Sequence, residues 1–336
     1  MRLISHSNGL HTVDKEKLGK IAIIKRCIIF FIGLLILGFV IQMVTDFVDN
    51  LGLKSKFKYV RIDGKKIEYK LKSSGGSDYT VVFDGEIGAN MYEWDKVCKT
   101  LEADKKLSTF VYNRRGYEFN DGGDLMTPEE QAKILKNLLK KAGAPEPYIF
   151  VGEEYGSLVA TNFAKLYPES VAGAVLVNPL SEENINTEEF KNSIKYKYYR
   201  SEFEKIGSNF GLTSLMSKMG LTIENKSFEE NIDQNELEEF NKFKNKKNYK
   251  EAVSNELKNL YRNASESQTE ELLSNKPLCL ITSNDDDSIK KIGNQSLTTV
   301  VKSEANSDTL SLLDSDEIVN GINTTLKEVR KLAKSS

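Results

Sequence analysis

Between Cys27 and Thr45, nineteen consecutive residues, CIIFFIGLLILGFVIQMVT, carry no charge, and Asp46 ends the run. As a helix this stretch spans about 28 Å, close to the roughly 30 Å of a bilayer's hydrocarbon layer. It is richer in Ile, Leu, Phe and Val than a helix buried in a water-soluble core, so the chain is expected to fold in two environments. Residues 27–48 are assigned as a transmembrane signal anchor whose partner is the lipid bilayer. Residues 1–26 hold Arg2, Lys15, Lys17, Lys20, Lys25 and Arg26 against Asp14 and Glu16, a net of +4. By the positive-inside rule this basic tail stays cytoplasmic and the C-terminal domain is extracytoplasmic, as in a single-pass cell-membrane protein. Asp46 and Asp49 are followed by Lys54, Lys56 and Lys58, which makes the bias one of degree. A cleaved signal peptide fits less well, because the lead of 26 residues is long and no A-x-A-like site follows.

This topology decides what the histidines can do. The chain of 336 residues has two, His6 and His11, both in the tail, so none falls beyond the anchor. Of the chain's net charge of -2, removing the tail leaves about -6. That surface is mildly acidic and argues against a nucleic-acid partner, which needs clustered positive charge. With 39% hydrophobic and 29% charged residues, the body is expected to fold around a substantial core. Three cysteines exclude a disulfide framework and a paired-cysteine zinc or iron–sulfur site. Cys98 and Cys279 either pair or lie buried as free thiols.

Beyond residue 55 the pattern is of short strands and helices. FKYVRIDGKKIEYKLKS reads as a hairpin turning at Asp63-Gly64, where glycine accepts a positive backbone angle. Tyr79–Gly85, Ser108–Arg114, residues 148–152 and residues 171–179 read as apolar strands. Helices are expected at 91–105, Thr127–Ala142 and 156–167, the second opened by a Thr127 cap and Pro128. Continuous apolar strands alternating with helices indicate a mainly parallel sheet covered on both faces. Residues 182–270 break the alternation with charged helical sequence, after which strands at 277–283 and 298–304 and a helix at 315–332 resume it. The expected organisation is a tail (1–26), an anchor (27–48), a first core segment (55–181), a helical lid or cap (182–270) and a second core segment (271–336). In the lid, Tyr196, Tyr198 and Tyr199 form an aromatic and basic cluster within IKYKYYR, expected to pack against the core.

Several segments, in order, resemble the α/β-hydrolase superfamily, in particular its membrane-associated or exported members. VVFDGEIGANMYEW (81–94) is similar to their oxyanion loop, and VYNRRGYEFND (111–121) to a Y-D-R-x-G-Y-G-x-S segment. YIFVGEEYGSLVATNFAKLYPESVAGAVLVNP (148–179) is similar to strand, elbow, helix and next strand, and PLCLITSNDDD (277–287) to the strand ending at the triad acid. The resemblance covers roughly 57–335. It implies an α/β-hydrolase fold, with helices on both faces of the sheet and an inserted helical lid, preceded by one transmembrane helix.

The residues that carry the chemistry depart from that family's pattern. An active elbow reads G-x-S-x-G, with the serine in a sharp strand-to-helix turn and backbone N–H groups holding the oxyanion. Here it reads Gly152-Glu153-Glu154-Tyr155-Gly156, with Glu154 at the nucleophile position and Ser157 one residue past the motif. The loop expected to carry the triad histidine, near 305–310, has Asn306, Ser307 and Asp308 instead. The triad acid aligns with Asp286, with Asp285 or Asp287 as the alternatives. Gly85, Glu86, Ile87 and Gly88 form the oxyanion-like loop, whose N–H groups are expected to satisfy the Glu154 carboxylate. An elbow carboxylate can form an ester intermediate, but its hydrolysis needs a base that is missing here. The Asp285–Asp287 run lacks a calcium-loop spacing, and no metal or cofactor is expected. The expectation is a membrane-anchored, extracytoplasmic pseudoenzyme binding an unknown small molecule or envelope protein. The alternative is an atypical cell-surface hydrolase of an ester or amide, using acidic residues at the elbow.

Overall fold

The computed structural model describes residues 10–52, 55–73, 76–103, 107–283, 288–305 and 309–335. Eight strands form one sheet: β1 (Lys58–Ile62), β2 (Lys65–Lys72), β3 (Tyr79–Asp84), β4 (Leu107–Tyr112), β5 (Tyr148–Glu153), β6 (Val171–Val177), β7 (Leu278–Thr282) and β8 (Thr298–Lys302). Their order is β1-β2-β4-β3-β5-β6-β7-β8. The β1–β2 and β2–β4 pairs are antiparallel and every other pair is parallel.

Every residue of β3, β4 and β5 is buried, as sandwiched strands require. Alternate side chains divide between two cores. Val82, Phe110, Phe150, Leu176 and Leu280 pack with the helices Pro128–Ala142 and Tyr155–Leu166. Val81, Phe83, Val111, Ile149, Val151, Val175 and Ile281 pack with Asp95–Leu101 and Ser315–Ser335. Each such side chain contributes on the order of 1.5–3 kcal/mol by leaving water.

The local signals act as expected. The β1–β2 turn is two residues long, and Asp63 and Gly64 both take positive φ, 51° and 76°, matching the strand twist. Thr127 and Glu130 close a capping box on the helix behind Pro128, and Gly143 ends it in the left-handed conformation. The helix expected at 91–105 is divided: a tight turn at Met91–Trp94, capped by Asn90, redirects the chain into Asp95–Leu101. Cys98 and Cys279 are buried free thiols on one side of the sheet. Burial pushes both upward, Cys279 to about 12.

The insertion between β6 and β7 holds six helices, from Glu182–Ile185 to Lys247–Arg262. It has its own core, Tyr198, Phe228, Phe240, Tyr249, Val253 and Leu257, which also buries Ala89, Tyr117 and Leu312 of the body. Its two ends are stitched together by Glu182, which accepts from Ser265 Oγ (2.6 Å), the Ser267 N–H (2.9 Å) and the Gln268 N–H (2.9 Å). Of the tyrosine cluster only Tyr198 is buried, stacked on Tyr261 at 4.8 Å; Tyr196 and Tyr199 face outward, where packing was expected.

At the N-terminal end one helix runs from Leu10 to Gly52, because no proline or turn signal interrupts it. Within it Gly19–Thr45 is long and apolar enough to cross a membrane and is not buried by the protein.

Candidate functional site

The turn from β5 into the helix Tyr155–Leu166 keeps the strained geometry of an elbow. Glu154, at its apex, has φ 44° and ψ -108°, a conformation that side-chain-bearing residues rarely adopt. Two glycines allow it. A Cβ at Gly156 would collide with the Asp84 carbonyl oxygen, and one at Gly152 would lie 2.7 Å from the Gly156 carbonyl oxygen. The Glu154 N–H donates to the Val177 carbonyl (3.0 Å) and its own carbonyl accepts from the Ser157 N–H (3.0 Å). Ser157 is fully buried; its hydroxyl donates to the Glu154 carbonyl (2.5 Å) and accepts from the Leu180 N–H (3.1 Å). It braces the turn from the interior.

Beside the elbow apex, the Glu153 carboxylate receives backbone N–H groups. It accepts from Leu310 (2.5 Å) and Ser311 (3.3 Å), at the start of the short helix Leu310–Leu313 after β8. Burial, with Glu86 nearby, pushes its pKa up to about 8. Thr309 Oγ1 donates to Glu86 Oε1 at 2.5 Å. Glu93 completes this acidic group: it is fully buried, and neither carboxylate oxygen has a hydrogen-bond partner among the described residues. Burial first, then Glu153 and Glu86, holds Glu93 well above the usual carboxylate range.

A second cluster fills the space under the lid. Arg114, following β4, uses all five N–H donors. Nη1 reaches Asp84 Oδ1 (2.5 Å) and the Gly85 carbonyl (2.7 Å); Nη2 reaches the Glu86 carbonyl (2.8 Å) and Glu256 Oε2 (3.1 Å); Nε reaches Glu256 Oε1 (2.7 Å). Tyr112 donates to Asp84 Oδ2 (2.5 Å) and Tyr117 to Glu256 Oε2 (2.6 Å). The guanidinium lies over the rings of Tyr117 and Tyr155, 5.3 Å and 5.2 Å from their centroids. Burial pushes Asp84 and Glu256 upward while Arg114 pulls both back.

This cluster engages the oxyanion-like loop. Gly85 and Glu86 give their carbonyls to Arg114. The Gly88 N–H donates to Tyr117 Oη (3.1 Å) and its carbonyl accepts from Tyr249 (2.7 Å). The Gly88 N–H is therefore directed to a tyrosine rather than to the elbow carboxylate, and Ile87 packs between body and lid.

The remaining cleft is small, about 40 Å³, between Tyr112, Gln131, Ile134 and the lid residues Ala252 and Glu256. A more open depression of about 340 Å³ lies between Glu118–Asp121 and Phe243–Tyr249. Glu154 lines neither. Asp285, Asp286, Asp287, Asn306, Ser307 and Asp308 lie outside the described residues. Among the described residues no group of three or more His, Cys, Asp or Glu is arranged to hold a metal.

A family model described as the alpha/beta hydrolase fold matches residues 81–299. The chain belongs to the α/β-hydrolase fold family. Among solved structures, this α/β-hydrolase-fold chain is similar to the Cif epoxide hydrolase from Acinetobacter nosocomialis. The TM-score is 0.63 at 18% identity, over 85% of this chain and 96% of that one. Among curated proteins, YqjL of Bacillus subtilis (strain 168) is 28% identical over 106 residues, 31% of this chain and 41% of YqjL. The juvenile hormone epoxide hydrolase of Manduca sexta is 30% identical over 102 residues, 28% of this chain and 22% of that enzyme. The matched stretch thus spans less than half the length of these curated relatives.

Sequence reasoning placed the elbow and loop but gave no role to Arg114, Tyr117, Glu93 or Glu256. Two had a signal. Arg114 follows directly on an apolar strand, and Glu256 sits on the helix face that carries Val253, Leu257 and Leu260. A charge in either place needs a buried partner.

Proposed function

We propose that this α/β-hydrolase-fold chain is a pseudoenzyme: a membrane-anchored, extracytoplasmic protein that binds a small molecule or an envelope protein without serine chemistry. The observation that carries this reading is Glu154 at the apex of a retained elbow, in a chain with no histidine after His11. A triad needs both a hydroxyl nucleophile and an imidazole base, and the nearest hydroxyl, Ser157, is committed to the turn itself. Gly19–Thr45 crosses the bilayer once in this reading, with the basic tail cytoplasmic. The test is a fluorophosphonate probe on the full chain in detergent. No labelling is expected, in the native chain or in Glu154→Ser, because the base is missing from both. Labelling that Ser157→Ala abolishes would reject the pseudoenzyme reading.

A second reading is favoured by the similarity to epoxide hydrolases and by the strain kept at Glu154. In it the chain is an atypical hydrolase acting at the cell surface on an ester or amide, or on an epoxide. On an epoxide, a Glu154 carboxylate oxygen attacks a ring carbon and breaks its C–O bond, leaving a hydroxyalkyl ester on the protein while the freed alkoxide takes a proton from water. On an ester or amide, attack at the carbonyl carbon leaves a mixed anhydride and releases the alcohol or amine, protonated by water. Mass spectrometry after incubation with an electrophile panel tests it: an adduct on Glu154, lost in Glu154→Gln, would favour this reading over the first.

A further inference from the structure

The lid helix Glu188–Ser208 turns Phe190, Ile194 and Tyr198 inward but carries four further large apolar side chains on its outer side. Its buried positions hold Tyr198, Ser201, Glu204, Gly207 and Ser208, while Tyr196, Tyr199, Phe203 and Ile206 are exposed. Steps of three, four and three residues put those four on one stripe. The next helix, Leu212–Lys218, and the turn beyond it extend the patch with exposed Leu215, Met219 and Leu221. An apolar surface of this kind marks an interaction site.

Its position says what it meets. The turn between the two lid helices lies against the N-terminal helix: a Cβ at Gly38 would collide with the Phe210 carbonyl oxygen, and one at Gly211 would lie 3.4 Å from Gln42 Oε1. Gly38 precedes Thr45, the end of the apolar span, by seven residues, about 10 Å along the axis. The patch therefore lies at the depth of an interfacial element, roughly 5–10 Å into the headgroup and acyl boundary. Residues 191–226 also hold seven Lys/Arg against three acids, in a body that is otherwise negative, and Lys195, Lys197 and Lys218 are exposed.

We propose that this lid face lies in the bilayer leaflet entered by the Thr45 end of the anchor, with its apolar stripe among the acyl chains and its lysines on anionic lipid headgroups. This rests on the proposed crossing of the bilayer by Gly19–Thr45. The lid, joined to the body through Glu256 and Arg114, then has one side fixed by lipid.

The test uses the full chain in vesicles of phosphatidylcholine and phosphatidylglycerol, in a Cys27→Ser background where Cys98 and Cys279 are buried. An environment-sensitive fluorophore is placed by Ile206→Cys, Met219→Cys, Val40→Cys (in the span) or Lys331→Cys (on the C-terminal helix). Probes at 206 and 219 should lose more than about half of their emission to a nitroxide lipid labelled near the headgroup, and little to aqueous iodide. The probe at 331 should show the reverse. If 206 and 219 behave like 331 while 40 remains shielded from iodide and quenched by lipid, the lid proposal is overturned and the anchor stands. If 206 and 219 are shielded from both quenchers, a protein partner or second copy covers the face, which also overturns it. If 40 is open to iodide, the anchor reading fails and the lid proposal with it. In pure phosphatidylcholine, quenching at 206 and 219 should fall while that at 40 holds; equal quenching would remove the lysine–headgroup contribution.

Discussion

Arg114 and Glu256 meet through two parallel hydrogen bonds, Nε to Oε1 at 2.7 Å and Nη2 to Oε2 at 3.1 Å, both groups buried. One stands at the end of β4 and the other on the lid helix Lys247–Arg262, so this pair joins lid to body. Asp84 shares the same guanidinium at 2.5 Å, which binds the lid to the strand beside the elbow.

Removing Glu256 leaves Arg114 paired with Asp84 but takes the acceptor from its Nε–H, from one Nη2–H and from the Tyr117 O–H, all buried. Glu256→Ala is therefore expected to destabilise the body by about 3–5 kcal/mol. Thermal unfolding in detergent should show a midpoint lowered by more than about 5 °C. An unchanged midpoint would mean the lid is held by its apolar core alone. The apolar double substitution Arg114→Met/Glu256→Leu should not recover the loss, because it strands the buried Asp84 carboxylate.

Glu154 holds a positive φ that glycine adopts freely. Glu154→Gly is expected to raise stability by about 1 kcal/mol, strain relief of about 1–3 kcal/mol being offset partly by glycine's greater freedom in the unfolded chain. A lower midpoint would show that interactions of the Glu154 side chain outweigh the strain.

Glu153 has its pKa raised to about 8 in the folded chain, from an ordinary value near 4.5, and Glu93 is raised well above that ordinary value too. A raised carboxylate binds its proton more tightly when folded, so its contribution is fully present below about 4.5 and is lost as pH rises through about 8. Stability should therefore decline from mildly acidic to mildly alkaline pH, by at most about 1.4 kcal/mol per pH unit for each group. Glu93→Gln should flatten that slope in denaturant titrations at several pH values. A slope equal to that of the native chain would exclude Glu93 as a source.

Ser157→Ala leaves the Leu180 N–H without its acceptor in the interior and should cost about 1–3 kcal/mol. Its effect is on stability, read by denaturant unfolding; an unchanged midpoint would argue against bracing by Ser157.

Much of the architecture was legible because local chemistry and the final fold agree. The Asp63-Gly64 turn, the Thr127–Glu130 capping box and the fully apolar strands each follow from nearby residues. The elbow's register followed from Gly152 and Gly156, whose missing Cβ atoms make room for backbone. Partners distant in sequence were not legible. Glu153 and Glu154 are adjacent acids in a motif, and nothing local tells which one turns to Leu310 and Ser311. The lid tyrosines show the same limit: Tyr198 and Tyr199 are neighbours, yet one stacks on Tyr261 and the other faces out.

By itself the sequence determined an apolar span at one end, an α/β-hydrolase fold after it and an elbow bearing Glu154 where that fold usually places serine. These depend on periodicity, glycine positions and residue identity, all local quantities. Only the tertiary structure decided that Arg114 fills the space beneath the lid, that Glu93 lies buried beside Glu86 and Glu153, and that the lid turns an apolar face outward next to the anchor. Those outcomes depend on which surfaces meet across a hundred or more residues of chain, where burial and the pairing of charge select the partner.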